Sequence, residues 1–147
     1  MLHRNLVLLA AGFVTLAGCT AAPQDKGATR MRSPEAVTGR VWQWEATVTP
    51  VEKITVPTPA RYTLELQPGG AALVLADCNR GRGSYEIGEG TLKLGAIAVT
   101  RMACPPGSLD SRYLRDLGRA TIFFVEGGRL FLDLPMDSGT MHFAPAK

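Results

Sequence analysis

From residue 40 onward, apolar and polar residues alternate with a period of two. Trp42, Trp44 and Ala46 fall on one side of a strand, and Val41, Gln43 and Glu45 on the other. Tyr62, Leu64 and Leu66 alternate in the same way with Thr63, Glu65 and Gln67, as in a half-buried strand. Pro68-Gly69-Gly70 then breaks the chain, and Ala71 to Asp77 resumes it, which predicts a hairpin. Arg80 to Gly83 reads as a turn, Ser84 to Ile87 as a short strand and Gly88 to Gly90 as another turn. Thr91 to Thr100 reads as one strand with Leu92 and Leu94 on a common side. Ala120 to Glu126 and Arg129 to Leu134, joined by Gly127-Gly128, predict a second hairpin, and Thr140 to Phe143 a final strand.

One segment breaks the period. Ser108 to Gly118 follows Pro105-Pro106-Gly107 and sets Leu109, Tyr113, Leu114 and Leu117 at helical spacing. Ser108 or Asp110 is placed to cap its start, and Gly118 to end it. The pattern therefore predicts a mainly β fold of about eight short antiparallel strands with one inserted helix. A twisted sheet that long curls or closes, giving a small barrel-like or two-layer arrangement.

The first residues follow a different logic. His3 and Arg4 precede an apolar run of eleven residues, Leu6 to Leu16, broken only by Thr15. As a helix this run rises about 16 Å, about half the thickness of a bilayer core. A positive start, a short apolar middle and small residues are the marks of an export leader. Leu16-Ala17-Gly18-Cys19 resembles the cleavage box of bacterial lipoproteins. That resemblance implies removal of residues 1–18, lipid on Cys19, and a protein anchored in a cell envelope. Thr20, where an aspartate would signal retention, points by resemblance to the outer membrane, facing the periplasm. Residues 20–36 hold almost no large apolar side chain, so residues 19–38 read as a flexible tether and residues 39–147 as one domain.

Composition narrows the function without naming it. The chain carries 16 basic and 13 acidic residues, a net charge of +3, too mild for a nucleic-acid binder. Of three cysteines, Cys19 is assigned to lipid, which leaves Cys78 and Cys104 as a pair in an oxidising compartment. A disulfide is favoured; two buried thiols or a metal remain open, although no further residue stands at metal-ligand spacing.

The cysteines sit in longer motifs. Asp77-Cys78-Asn79-Arg80, Gly83-Ser84-Tyr85 and Thr100-Arg101-Met102-Ala103-Cys104 resemble the META/HslJ-like domain of bacterial envelope lipoproteins. Trp42, Tyr62-Thr63-Leu64 and Gly128-Arg129-Leu130-Phe131-Leu132 fit the same pattern, which covers roughly residues 40–144. Asp77 stands where that family usually has glycine, and Val48 to Pro59 looks like a variable insertion. The resemblance implies a compact antiparallel β domain with one helix and no recognised catalytic centre, loosely associated with heat shock, envelope stress and antibiotic tolerance. Asn79, Tyr85, Thr100, Arg101 and Met102 are its motif residues here.

Other constellations are weaker. Arg80, Arg82 and Arg101 converge on an anion-binding corner if a disulfide joins their loops. Arg112, Arg115 and Arg119 line one helical side, with Asp116 in reach of Arg112 and Arg119. Trp44 is a core residue unless the barrel mouth is open, in which case it contacts an apolar ligand. No nucleophile elbow, phosphate loop or dinucleotide loop is present. The expectation is a non-enzymatic, lipid-anchored module without cofactor or metal. Its partner is an unknown envelope protein, or a small ligand at the barrel mouth.

Overall fold

The computed structural model describes residues 29–147; the leader, Cys19 and the first half of the expected tether lie outside the described residues. Ten strands follow one another: β1 (Val41–Val48), β2 (Lys53–Thr55), β3 (Tyr62–Gln67), β4 (Ala71–Ala76), β5 (Asn79–Ile87), β6 (Leu92–Leu94), β7 (Ala98–Val99), β8 (Ile122–Glu126), β9 (Arg129–Asp133) and β10 (Thr140–Pro145). One α-helix, α1 (Asp110–Leu117), lies between β7 and β8. The sheet runs in the order β6-β5-β4-β3-β1-β10-β9-β8, with β2 paired to β1 and β7 to β5. Its ends meet: Thr91 bridges Ile122, the Leu92 N–H donates to the Thr121 carbonyl at 3.0 Å, and the Phe123 N–H to that of Gly90 at 3.0 Å. Eight strands thus curl into a nearly closed barrel, the solution expected for a long twisted sheet.

Alternation decides what fills it. Trp42, Trp44, Leu64, Leu66, Leu132 and Phe143 are fully buried inside, while their strand neighbours face outward. Between Trp44 and Ala46 the pairing of β1 with β10 slips by one residue, and both Ala46 and Thr47 are buried. Such a bulge bends a strand locally.

The barrel has two distinct ends. One carries the Gly69-Gly70 and Gly127-Gly128 turns; both residues of the second have positive φ, as a two-residue hairpin requires. The incoming chain is fastened at this end. Met31 and Val125 exchange backbone hydrogen bonds of 2.8 Å, Gly39 donates to Leu66 at 2.9 Å, and the carbonyl of buried Val37 accepts the Trp42 indole N–H at 2.9 Å. Arg30 pairs with Glu126 and lies over the Phe124 ring, so among the described residues folded contacts begin there, earlier than the Gly39 that composition suggests. The cause is pairing through backbone, which polar side chains do not forbid. The opposite end carries the Asp77-Cys78 turn, the 49–52 and 134–139 loops, and α1.

Three segments differ from the pattern read in sequence. Arg80 to Gly83 is not a turn but the first half of the nine-residue β5. The turn is Asp77-Cys78 instead, where Asp77 takes a φ of 59° in the left-handed region. Aspartate tolerates that region better than most residues, and here its carboxylate is also ion-paired with Arg61. Gly81 and Gly83 serve close approach instead: a Cβ on Gly83 would lie 2.7 Å from the Ala96 carbonyl, and one on Gly81 2.7 Å from Ile97. The expected strand from Thr91 to Thr100 is accordingly two pieces, β6 and β7, which pair with β5 in turn and are parted by a loop that packs against Gly83. The apparent insertion holds β2, paired to the far half of β1.

Candidate functional site

The motif residues meet at the end closed by α1. Cys78, in the turn before β5, and Cys104, after β7, are joined by a disulfide with Cα atoms 5.5 Å apart. Between them runs a strap, residues 100–104, with no regular structure of its own. Asn79 holds it. Its side-chain oxygen accepts from the Met102 N–H at 2.8 Å and from the Thr100 hydroxyl at 3.0 Å. Its amide nitrogen donates to the Met102 carbonyl at 3.2 Å and to the Asp110 carboxylate at 3.4 Å. One buried carboxamide therefore ties together β5, the strap and the start of α1. The Thr100 hydroxyl also accepts from the Arg80 N–H at 3.0 Å, and the Thr100 N–H donates to the Arg80 carbonyl at 3.0 Å.

Helix α1 closes the barrel here. Its Tyr113 ring stacks on Trp44 with centroids 5.0 Å apart, and Tyr62 meets both rings edge-on. Tyr62 also accepts the Leu109 N–H at 2.9 Å, and Ser108 accepts that of Asp110 at 3.3 Å. Tyr113 is wholly buried; desolvation pushes its phenol well above the ordinary value of 10.0, and its hydroxyl has no hydrogen-bond partner among the described residues. Trp44 is thus a core residue, which corrects its candidacy as a ligand contact. The mouth that would expose it is filled by Tyr113, and its indole N–H is satisfied by Ala46 at 2.9 Å and Thr47 at 3.1 Å.

The arginines are only partly gathered. Arg80 and Arg82 share the outward side of β5, and Arg101 stands on the strap beside the Arg80–Thr100 pair. All three are exposed, and none forms an ion pair among the described residues. On α1, buried Asp116 pairs with Arg112 and Arg115, each at 3.4 Å. Arg119 turns away and donates to the Ser138 hydroxyl at 3.1 Å, so it is not the partner of Asp116 that its spacing suggested. Arg112 reaches Glu52 as well, at 3.1 Å. Tyr85 lies apart from the cluster, toward the other end of β5. There its hydroxyl donates to the Gln67 carbonyl at 2.7 Å, and burial raises its pKa.

Asp110, Tyr62 and the Arg61–Asp77 pair complete the arrangement. The sequence marked Asp110 as a helix cap, Tyr62 as a strand residue and Asp77 as a motif position, but gave no sign of Arg61 or of their meeting at this end. Chemically, this end holds backbone in place. Among the described residues no three His, Cys, Asp or Glu side chains gather as metal ligands. A groove of about 600 Å³ opens between β6 and the end of α1, lined by Ile87, Leu92, Leu94, Gly118 and Ala120 among others.

Similar proteins agree on the architecture. A protein from Burkholderia xenovorans solved by NMR is 26% identical with a TM-score of 0.65, covering 77% of this chain and 86% of that one. A second NMR structure is 20% identical, with a TM-score of 0.58 over 78% of this chain and 95% of that one. A DUF4847-family protein from Bacteroides vulgatus shares the fold at 11% identity, with a TM-score of 0.56 over 75% and 94%. No curated protein sequence matches the chain. The META domain model matches residues 27–147, the strap and its clamp included. The chain belongs to the META domain family.

Proposed function

We propose that this protein is a lipid-anchored bacterial envelope lipoprotein whose META domain is a non-enzymatic binding or structural module, acting under envelope stress. One observation carries the choice of module over carrier: the barrel interior is filled by Trp44, Tyr62, Tyr113 and Phe143. A ligand carrier of this size encloses its cargo in the barrel mouth, and here that mouth is occupied by the protein's own helix. Polar groups at the same end are engaged with backbone, which supports a mechanical role for them rather than proton transfer. The anchor rests on the Leu16-Ala17-Gly18-Cys19 motif alone.

Two measurements test this. Intact-mass analysis of protein from its native cells should show a chain beginning at an acylated Cys19; an unmodified or uncleaved chain removes the anchor. Photo-crosslinking in those cells, with the reactive group stepped around the surface, should give adducts confined to one region. A surface without adducts, together with turnover of any small molecule by the purified protein, would overturn the binding reading.

A further inference from the structure

The seam at which the ends of the sheet meet closes over only part of its length. Leu92 is joined to Thr121 there, but the chain before Thr121 turns away. Ala120 donates to the Asp116 and Leu117 carbonyls, each at 3.2 Å, so residues 118–120 finish the last turn of α1 instead of extending β8. Beyond Leu92, β6 and β7 therefore form an open margin of the sheet, paired on one side only, to β5.

The pairing shows which groups that margin offers. Gly88 donates to the Thr91 carbonyl at 3.0 Å, and Gly95 to that of Ser84 at 2.9 Å. Hydrogen bonding alternates along an antiparallel pair. Lys93 therefore turns its backbone groups to β5, and Leu94 turns its own away. The Thr100 N–H donates to the Arg80 carbonyl, which in the same way turns the backbone groups of Val99 outward. Among the described residues, the N–H and C=O of Leu94 and of Val99 have no hydrogen-bond partner. Leu94 is 8% exposed, and backbone groups in so enclosed a residue nearly always find partners.

These groups border an apolar slot. The groove of about 600 Å³ and a second of about 380 Å³ share Leu94 and Gly118 in their walls. Ile87, Ile97 and Leu114 along them are half-buried, with one side packed on the core. The two charged residues that line the slot, Glu86 and Lys93, are of opposite sign. Charge thus selects nothing here, and backbone complementarity does.

We propose that this slot takes up an extended segment of another protein, which joins β6 and β7 as an added strand. The inference rests on the reading of the domain as a binding module and names the manner of binding. An extended chain supplies N–H and C=O groups at strand spacing, and main-chain bonds give such an addition its affinity. Residues 94–99 span about 17 Å when extended, enough to pair a segment of about five residues. Alternate side chains of that segment face Ile97 and Leu114, so it carries apolar residues at every second position. The margin of a second copy fits poorly, because it brings its own α1 into a slot that α1 already walls.

The test pans a displayed library of random octapeptides against the cell-processed protein in nanodiscs of zwitterionic lipid. Enriched peptides should alternate apolar and polar residues, and their binding should slow hydrogen exchange of residues 93–99 at least tenfold. N-methylation of alternate amides removes the donors of one peptide edge and keeps the side chains. It should weaken binding at least tenfold in one of its two phases and far less in the other. Gly118 has a φ of −67°, and a Cβ there meets nothing nearer than 3.4 Å. Gly118→Leu therefore fills the slot and should weaken binding at least tenfold. The peptide and exchange measurements use the unaltered protein, so they decide the matter even if that variant fails to fold. No enriched peptide, equal binding by both N-methylated forms, or unchanged exchange at 93–99 overturns strand addition. The binding module still stands in that case if photo-crosslinks in cells gather on one region. A dimer of the protein that Gly118→Leu abolishes puts a second copy in the slot and overturns the foreign segment.

Discussion

At Asn79 the two ends of one carboxamide face the N–H and C=O of a single residue, Met102. Asn79→Asp removes the donor and sets a second carboxylate beside Asp110. It should cost about 3 kcal/mol in urea unfolding, since a buried acceptor is stranded and a charge added. Tyr113→Phe is expected to do the reverse. It deletes a buried hydroxyl without a hydrogen-bond partner among the described residues, and should leave stability unchanged or raise it by about 1 kcal/mol. Because burial raises the Tyr113 pKa, the unfolded chain loses that proton first; its contribution is complete below pH 10 and falls as pH rises above it. His142 titrates in the opposite sense. Burial, then Arg129 and Lys53, lower its pKa below 6.5 against the pull of Asp133. Its contribution is complete above pH 6.5 and is lost as pH falls through the folded value, so His142→Gln should flatten the denaturation midpoint across that range. Asn79, Thr100 and Met102 were legible as motif residues. That Asn79 bonds them and Asp110 was not, because these partners lie 21 to 31 positions away and no local rule links them.

Hairpins were the elements most readily read from sequence, since paired glycines and strict alternation are local signals. The β3–β4 and β8–β9 pairs form where those signals place them. β5 misled because glycine marks both turns and close crossings, and only the packed partner distinguishes the two. Gly83→Val should force residues 96–99 off β5, because the atom it would strike is a backbone carbonyl. The Thr100 amide should then lose its protection from hydrogen exchange, while the β5–β6 pairing persists. Joint replacement of Cys78 and Cys104 by serine opens a link spanning 26 positions. It should cost about 3.5 kcal/mol on the chain-entropy account, seen as a lower urea midpoint. The strap is expected to loosen more than the barrel, since only Asn79 and the Arg80–Thr100 hydrogen bonds would be left to hold it.

Over the whole molecule, closure was foreseeable from strand number alone, and the plugging of one end by α1 was not. That depends on Tyr113 finding Trp44 across 69 positions of sequence. The sheet order carries a last consequence. β10, the final strand of the domain, lies between β1 and β9, bonded to both. A chain emerging from a ribosome or a translocation channel therefore cannot finish its domain stepwise. Until Thr140 to Pro145 dock between them, β1 and β9 stand as raw margins, ready to zip onto another unfinished copy.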